Sequence, residues 1–258
     1  LLAQGWPFPV SLICATLLSS LVGAIIGIPA LRMTGIYLAV ATLAFAIIVE
    51  QVLSHWVSVT GGFRGMAVEL PSIGSLSLDD SIAFYFLCLF VLTGCLFLAM
   101  NLLRTSTGRA MTAIRDSEIS AQSMGIHLAY TKTLAFGISA GFTGLAGSLL
   151  AHKIGYLAPD SFTLLTSIQL LLMVVVGGLG SLHGVIYGAL FIGLLPQALA
   201  LLRDTLPPVL AQIPGLEPGI FGLILVLVLI YEPQGIYGRW LKIRNYFEEF
   251  PLYRKATH

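Results

Sequence analysis

The chain has 258 residues, of which 57% are hydrophobic and only 10% are charged, and its mean hydropathy is +0.94. Soluble domains carry about 25% charged residues, so this composition argues against a soluble fold and indicates a polytopic membrane protein. The formal net charge of +1 comes from scattered Lys and Arg residues, which excludes a nucleic-acid-binding surface.

Seven apolar windows are long enough to be transmembrane helices, for which about 20 residues suffice. In chain order they cover residues 10–31, 36–57, 82–103, 132–151, 163–181, 184–202 and 216–232. The last window is the weakest, because Glu217 and Pro218 shorten its apolar core. We therefore predict an all-α transmembrane helix bundle of about seven spans, forming a single domain over residues 1–258.

Glu50 is the only acidic residue deep within a predicted span. An ionisable side chain at that depth costs at least about 2.5 kcal/mol, so we expect Glu50 to face a water-filled cavity or a polar neighbour such as Gln51. Thr60, Gly61 and Gly62 follow the same span. They are predicted either to end its helix or to shape the mouth of a pore.

Residues 104–131 form the one long polar segment between two apolar windows that is predicted to be folded. Ser106 and Thr107 can cap a first short helix, and Asp116 or Ser117 can cap a second, which Gly125 then ends. The pattern predicts two short helices joined by a bend. The segment is interpreted either as a docking surface or as an ordinary interfacial loop.

Gly177, Gly178 and Gly180 lie halfway along the charge-free run of residues 161–202. This run is about twice the length of one membrane crossing, so a helix must end there and the chain must reverse, which glycine permits. The same glycines are candidates for lining a pore. A phosphate-binding loop is excluded, because no Gly-Lys-Ser/Thr follows them.

The distribution of Lys and Arg predicts the orientation, because cytoplasmic loops retain positive charge. With residues 104–131 inside, seven alternating spans place the N-terminus outside and the C-terminus in the cytoplasm. The polar segment 233–258 is then predicted to lie at the cytoplasmic headgroups. The basic residues predicted on the cytoplasmic side are Arg32, Arg104, Arg109, Arg115, Lys132, Arg239, Lys242, Arg244, Arg254 and Lys255.

Neither a metal site nor a catalytic site is predicted. Cys14, Cys88 and Cys95 all fall in apolar windows, where free Cys behaves as a small hydrophobic residue. His55, His152 and His183 fall at span ends without nearby carboxylate or Cys companions, His127 and His258 lie in predicted cytoplasmic polar regions, and no serine stands in a GxSxG sequence.

The string GRAMTAIRDSEISAQSMGI, residues 108–126, resembles the coupling segment of permease subunits of bacterial ABC importers, in the branched-chain amino acid family (M-type permease). Other strings in the same order are similar to this family, and together they cover nearly the whole chain: residues 35–53, 60–66 and 159–184, and the sequence YEPQGIYG at 231–238.

The resemblance implies that Glu118, Ala121 and Gly125 mark the place where an ATPase subunit is held. The candidate ATPase-coupling site also includes their polar neighbours Arg109, Arg115, Asp116 and Ser117. The candidates for the translocation path or its helix breaks are Glu50, Thr60, Gly61, Gly62, Gly177, Gly178 and Gly180.

The resemblance further implies a permease that forms half of a translocation path for branched-chain or similar small amino acids. Its partners would be a homologous second permease subunit, two ATP-binding subunits and a periplasmic substrate-binding protein, assembled among the lipids of the bacterial inner membrane. This chain has no Walker motif, so ATP and Mg are expected in the partner subunits and no cofactor is expected here. The family has further spans before the position of Leu1, so the chain is expected to lack N-terminal spans.

Two other functions are compatible with the residues alone. The first is a secondary transporter driven by an ion gradient, with Glu50 as its proton or cation site. The second is a structural membrane subunit with no role in conduction.

Overall fold

The computed structural model describes residues 7–30, 33, 36–68, 72–73, 76–77, 81–205, 216–231 and 235–248. The chain divides into two compact units, Leu1–Ser161 and Phe162–His258. Arg32 and the end of the predicted cytoplasmic tail, residues 249–258 with Arg254 and Lys255, lie outside the described residues.

The first unit consists of helices with short β pairs in their connections. Its helices are α1 (Phe8–Ala30), α2 (Ile36–His55), α3 (Val57–Thr60), α4 (Ser81–Arg104), α5 (Ser106–Asp116), α6 (Glu118–Ser123) and α7 (Leu128–Ile154). Its strands are β1 (Met66–Ala67), β2 (Ser72–Ile73), β3 (Leu76–Ser77) and β4 (Tyr156–Leu157), and 3₁₀ turns cover Gly62–Arg64 and Pro159–Ser161. Strand β1 pairs antiparallel with β4, and β2 pairs antiparallel with β3.

The second unit contains four helices in its described residues. They are α8 (Leu164–Gly177), α9 (Leu182–Thr205), α10 (Leu216–Tyr231) and α11 (Gly235–Glu248). Helix α11 forms the described part of the segment 233–258, for which no helix was predicted.

The predicted all-α membrane fold is confirmed, and each of the seven apolar windows corresponds to a helix. The predicted count of seven spans is not confirmed. Within the described residues three helices are long and apolar enough to cross a membrane, and a bent pair makes a fourth if it is counted as one span. Helix α8 has only 14 residues, or about 21 Å at 1.5 Å per residue, against a hydrocarbon core of about 30 Å.

Helices α1 and α7 pack closely because small residues line their contact. The Ser19 hydroxyl donates a hydrogen bond to the Ala140 carbonyl oxygen at 2.9 Å, across the two helices. A Cβ atom added at Gly23 would overlap the Ala140 methyl group, and one added at Gly144 would overlap the Ser19 side chain. Small residues at helix contacts in membranes allow the backbones to approach and gain van der Waals contact.

Helices α8 and α9 form the core of the second unit in the same way. Leu172, Val176 and Ile192 are at most 1% exposed. Between the two helices, a Cβ atom added at Gly188 would overlap the Met173 carbonyl oxygen. The helices are therefore in backbone contact, with a small apolar cluster beside that contact.

Large apolar side chains cover the outside of the helices. Leu17, Leu18 and Phe90 are 64%, 68% and 78% exposed, and many similar residues on α1, α2 and α4 are more than half exposed. A monomeric soluble protein rarely exposes apolar patches of this extent. These faces are suited to lipid or to other membrane subunits.

Candidate functional site

The segment between α4 and α7, residues 104–131, is folded as two short helices joined by a bend, as predicted. Helix α5 begins after Thr105, whose side-chain oxygen accepts a hydrogen bond from the Gly108 backbone N–H at 3.2 Å. The predicted caps, Ser106 and Thr107, are therefore wrong by one or two residues. Because both are hydroxyl residues next to another hydroxyl residue, composition alone could not separate them from Thr105.

Ser117 forms the bend and caps α6, as predicted. Its backbone is extended, with φ −161° and ψ 114°, and its Oγ accepts a hydrogen bond from the Ser120 N–H at 3.2 Å. Gly125 ends the second helix with φ +82°. The Ile126 N–H then donates to the Ala121 carbonyl oxygen at 3.1 Å and the Gly125 N–H donates to the Gln122 carbonyl oxygen at 3.0 Å, which is the Schellman pattern of helix ends.

An ion pair ties α6 to the start of α7. The Glu118 carboxylate lies 2.7 Å from the Lys132 ammonium group, and the two side chains are 49% and 23% exposed. Such a partly exposed pair contributes about 0–1 kcal/mol to stability, so it serves mainly to orient α6. The Glu118 carboxylate therefore already has an ion-pair partner within this chain.

The basic residues of the segment also have partners within the chain. The Arg109 guanidinium donates a hydrogen bond to the Arg104 carbonyl oxygen at 2.8 Å, where α4 ends. Arg115 and Asp116 form an exposed ion pair of 3.2 Å. These contacts stabilise the junction and the bend, and they leave the segment polar on its surface.

Burial separates the apolar residues of the segment into two groups. Ile114 and Ala121 are only 8% and 2% exposed, whereas Ile119 and Met124 are each 84% exposed. Ala121 is therefore a packing residue of this chain, and its methyl group is not accessible to a partner. Ile119 and Met124 were not predicted from the sequence as contact residues. The feature that could have identified them is the presence of two apolar side chains in the polar string EISAQSMG.

Glu50 lies near the end of α2, shortly before the helix breaks. Its side chain is half-buried, and its backbone carbonyl oxygen accepts a hydrogen bond from the Ser54 hydroxyl at 2.8 Å. The break is a bend of 76° between the helical stretches Val40–His55 and Val57–Arg64.

Thr60, Gly61 and Gly62 end the short helix α3, Val57–Thr60, as one of the two interpretations predicted. The Thr60 hydroxyl lies 2.6 Å from the Leu53 carbonyl oxygen, to which it can donate, and it accepts a hydrogen bond from the Gly62 N–H at 3.2 Å. Gly61 and Gly62 have φ +74° and +62°. The left-handed backbone explains the need for glycine at both positions.

Gly177, Gly178 and Gly180 form the predicted reversal between α8 and α9. Gly178 and Gly180 have φ +120° and +84°, and the Gly178 N–H donates to the Val174 carbonyl oxygen at 3.0 Å. The sequence pattern does not identify Gly235, which begins α11 with φ +67°, and a Cβ atom there would meet the Gly178 backbone nitrogen at 2.5 Å. The start of α11 at Gly235 therefore packs against the turn between α8 and α9.

The structure brings the seven candidate coupling residues into one continuous segment of the first unit. Glu50, Thr60, Gly61 and Gly62 belong to the bent helix of that unit, and the other three glycines belong to the second unit. Among the described residues no group of three or more His, Cys, Asp or Glu side chains could hold a metal ion.

Comparison with known proteins agrees with these features. A sequence model of a family described as "Branched-chain amino acid transport system / permease component" matches residues 1–230. The chain is 34% identical, over 246 residues, to the high-affinity branched-chain amino acid transport system permease protein LivM of Salmonella typhimurium, and the match covers 86% of this chain and 55% of that protein.

More distant relatives have related names. The probable branched-chain amino acid transport permease protein LivM of Methanocaldococcus jannaschii is 27% identical, with 88% of this chain and 67% of the relative covered. The autoinducer 2 import system permease protein LsrC of Escherichia coli O157:H7 is also 27% identical, with 90% and 66% covered. No solved structure matches the chain.

The chain spans just over half of the length of the Salmonella relative. The family match nevertheless extends over most of the chain, from the first helix through α10. On this ground the chain belongs to the family of permease components of branched-chain amino acid transport systems.

Proposed function

We propose that this chain is the permease subunit of an ATP-driven importer and forms half of the translocation path for branched-chain or similar small amino acids. Membership of the permease family supports the proposal, and so do the names of the relatives, which are permease proteins of amino acid transport and autoinducer import systems. The ion-gradient alternative has no such support. The chain acts as a transport subunit, while ATP and Mg bind to partner subunits.

The observation that carries the proposal is the shape of the segment between α4 and α7. Its two helices are each stabilised by a cap and are tied to α7 by the Glu118–Lys132 ion pair, yet α6 and its end expose Ile119 and Met124 almost completely. Apolar side chains that are held outward on an ordered polar element are typical of a contact site for another protein.

We assign this contact site to an ATP-binding subunit. Ile119 and Met124 would enter an apolar groove of that subunit, with Gln122 and Ser123 at the rim. Ser117, Gly125, Glu118 and Ala121 then act as positioning residues, because each of them shapes or anchors the segment within its own chain. Movement of the ATP-binding subunits would be passed to α7 through the segment, as in other packed two-state elements.

The remaining assembly follows from the same proposal. Two ATP-binding subunits, a homologous second permease subunit and a periplasmic substrate-binding protein complete an importer in the bacterial inner membrane. The coupling segment and α11 lie on the cytoplasmic side, and Arg239, Lys242 and Arg244 on α11 are suited to anionic lipid headgroups there.

The test is truncation of the exposed apolar pair in the full-length permease, co-expressed with its partner subunits. We expect Ile119→Ala and Met124→Ala together to weaken co-purification of the ATP-binding subunits about tenfold or more, since buried apolar anchors commonly contribute over 1 kcal/mol each. Phe90→Ala on α4 is the matched control, because Phe90 is 78% exposed but lies mid-helix. Unchanged co-purification of the double variant, with normal membrane insertion, would refute the assignment.

A further inference from the structure

A groove of about 560 Å³ lies in the second unit, between α8, α10 and α11. Val176 of α8 and Val228 of α10 form its inner wall, since Val176 is 1% exposed and Val228 packs against the same apolar cluster. Its outer part is open, because Leu227, Ile236 and Ile243 also line it and are 44%, 40% and 45% exposed. The groove is therefore apolar and accessible from the surroundings of the chain.

Helix α11 contributes one continuous face to this groove. At about 100° per residue, the residues of α11 that line the groove fall within about 140° of the circumference of the helix. They are Gly235, Ile236, Arg239, Trp240 and Ile243. The groove is thus a product of the way in which α11 packs, and the remaining faces of α11 point elsewhere.

Two contacts fix the first turns of α11 in this position. A Cβ atom at Gly235 would lie 2.6 Å from the Gly178 Cα atom and 2.8 Å from the Val176 carbonyl oxygen, so the start of α11 is in backbone contact with the end of α8. The Tyr237 ring stacks on the His183 ring of α9, with 6.0 Å between the ring centres and 28° between the planes. The groove is therefore formed by the packing of the second unit itself.

The mouth of the groove is positively charged. Arg239 is exposed and is the charged residue of the lining, and Lys242 follows it at a spacing that places the two on neighbouring surface of the helix. Over its described length α11 has one acidic residue, Glu248 in the last position. A guanidinium carries five N–H donors, so Arg239 can bind an anion and a group of its own chain together.

This combination of an apolar wall and a basic edge fits an anionic phospholipid. Arginine binds a phosphate through two parallel hydrogen bonds, and basic pockets between membrane helices bind the headgroups of anionic lipids. Trp240 is 58% exposed beside Arg239, and tryptophan is enriched at the level of lipid headgroups. Leu223 and Ile230 of α10 are 59% and 67% exposed, so the groove continues a surface that is already suited to acyl chains.

We propose that this groove binds one anionic phospholipid. Its phosphate lies on the Arg239 guanidinium with Lys242 beside it, and one acyl chain packs along Leu227, Val228 and Ile243. The bound lipid holds α11 against α8 and α10. The inference goes beyond the attraction of a basic helix to headgroups, because it requires the anionic headgroup and the acyl chain to be recognised together, and it is independent of the proposed function.

Trp240 provides a direct probe, because bromine atoms on an acyl chain quench the fluorescence of a tryptophan that they contact. The full-length permease, with the subunits that co-purify with it, is placed in phosphatidylcholine nanodiscs. Increasing mole fractions of phosphatidylglycerol or phosphatidylcholine with the same brominated chains are then included. The signal of Trp240 is the difference between this preparation and the same preparation with Trp240→Phe.

We expect brominated phosphatidylglycerol to reach half-maximal quenching at a mole fraction about tenfold lower than brominated phosphatidylcholine, as for hydrogen bonds to a charged group. Arg239→Gln should remove this preference, because an amide has no charge to pair with the phosphate. Arg244→Gln is the matched control, since Arg244 is on the same helix but does not line the groove. It should change the preference by about twofold at most, because salt screens exposed charges.

A second variant tests the acyl chain and remains informative if Arg239→Gln does not fold. Val228→Phe fills the groove from α10 with Arg239 in place, and it should also remove the preference. Equal quenching by the two lipids would refute the site, since Trp240 then contacts only bulk lipid. Quenching by neither lipid would also refute it, because a protein segment then covers the groove.

The control variant separates the groove from the charge of the whole helix. If Arg244→Gln removes the preference as completely as Arg239→Gln does, the groove is refuted as the site. Loss of the preference in Arg239→Gln and Val228→Phe alone supports the site, whether or not the same preparation takes up a solute with ATP. The proposed function therefore stands or falls by other measurements.

Discussion

Gly108 has a strong steric requirement at the start of the coupling segment. The residue is buried where α4 turns into α5, and a Cβ atom there would overlap the Leu102 carbonyl oxygen and approach the Leu103 Cα atom to 2.6 Å. Both obstacles are backbone atoms, which cannot rotate away as a side chain could. Any other residue at position 108 would therefore move the two helices apart.

We predict that Gly108→Ala destabilises the permease by about 1–3 kcal/mol, as overpacking of a close contact does, and displaces α5. Gly94→Ala is the matched control on α4, because nothing lies within 4 Å of a Cβ atom at Gly94, and there the change should be neutral or stabilise by about 0.5–1 kcal/mol. Thermal unfolding of the two variants in detergent measures the difference. Equal stability of Gly108→Ala and Gly94→Ala would contradict the prediction.

Several caps and turns of the site could be predicted residue by residue, although the predicted cap of α5 was wrong by one or two residues. Ser117, Gly125 and Gly61 act through hydrogen bonds and backbone angles of their immediate neighbours, so local sequence is sufficient to find them. Gly108 and His152 were not predictable in this way. Their roles depend on groups that only the packing of helices brings near, such as the Phe8 ring against His152.

At the scale of elements, α7 is the long helix that follows the coupling segment. Its N-cap is His127, whose Nδ1 accepts a hydrogen bond from the Tyr130 N–H at 3.4 Å, and its C-cap is Gly155 with φ +72°. Its first turns hold the coupling segment through Lys132, and its length packs against α1 through small residues. A rigid helix with one contact at each end is suited to transmit a displacement.

The Glu118–Lys132 pair provides a test of this connection. We predict that Glu118→Lys reduces ATP-dependent uptake about tenfold or more, because it replaces the attraction with repulsion and displaces α6, while thermal stability changes by no more than about 1 kcal/mol. The double variant with Lys132→Glu restores the pair in reverse and should recover most of the uptake. A double variant as inactive as Glu118→Lys would show that Glu118 instead contacts the partner directly.

The contacts between helices were the least predictable part of the fold. Four-residue spacings of glycine occur at Gly23 and Gly27, at Gly137 and Gly141, and at Gly184 and Gly188, and such spacings promote close approach of helices in membranes. The spacing does not tell which helix is approached. The structure pairs the first two sets across α1 and α7, and it places the third against α8.

For the whole molecule, hydropathy predicted the positions of the long helices but not the number of spans. The window 82–103 corresponds to α4, Ser81–Arg104, whereas α7 begins at Leu128, before its window at 132, because its first turn contains the polar Tyr130 and Thr131. Helix α8 shows why seven spans are not confirmed, since Gly177 and Gly178 end it before it reaches the length of a bilayer. An apolar composition therefore predicts burial in lipid or protein, but only length and packing determine a crossing.

The energy source of transport distinguishes the proposed importer from an ion-driven transporter, and Glu50 is the residue on which the two differ. If ATP hydrolysis in partner subunits drives uptake, the half-buried Glu50 carboxylate only makes polar contacts with the translocation path or binds water there. Glu50→Gln should then lower uptake by about tenfold to a hundredfold without abolishing it, which is the range for the loss of one hydrogen bond to a charged group. Collapse of the proton gradient at constant ATP should leave uptake in proteoliposomes unchanged in both forms.

An ion-driven transporter would behave differently, because its acidic site must bind and release the coupling ion in every cycle. Glu50→Gln would then abolish uptake, and the native assembly would lose uptake when the gradient collapses even with ATP present. Val52→Ala is the control, since Val52 lies beside Glu50 on α2 and is 48% exposed. Leucine uptake is measured as a function of ATP concentration and of the imposed pH gradient. Uptake that depends on the gradient alone would refute the proposed importer.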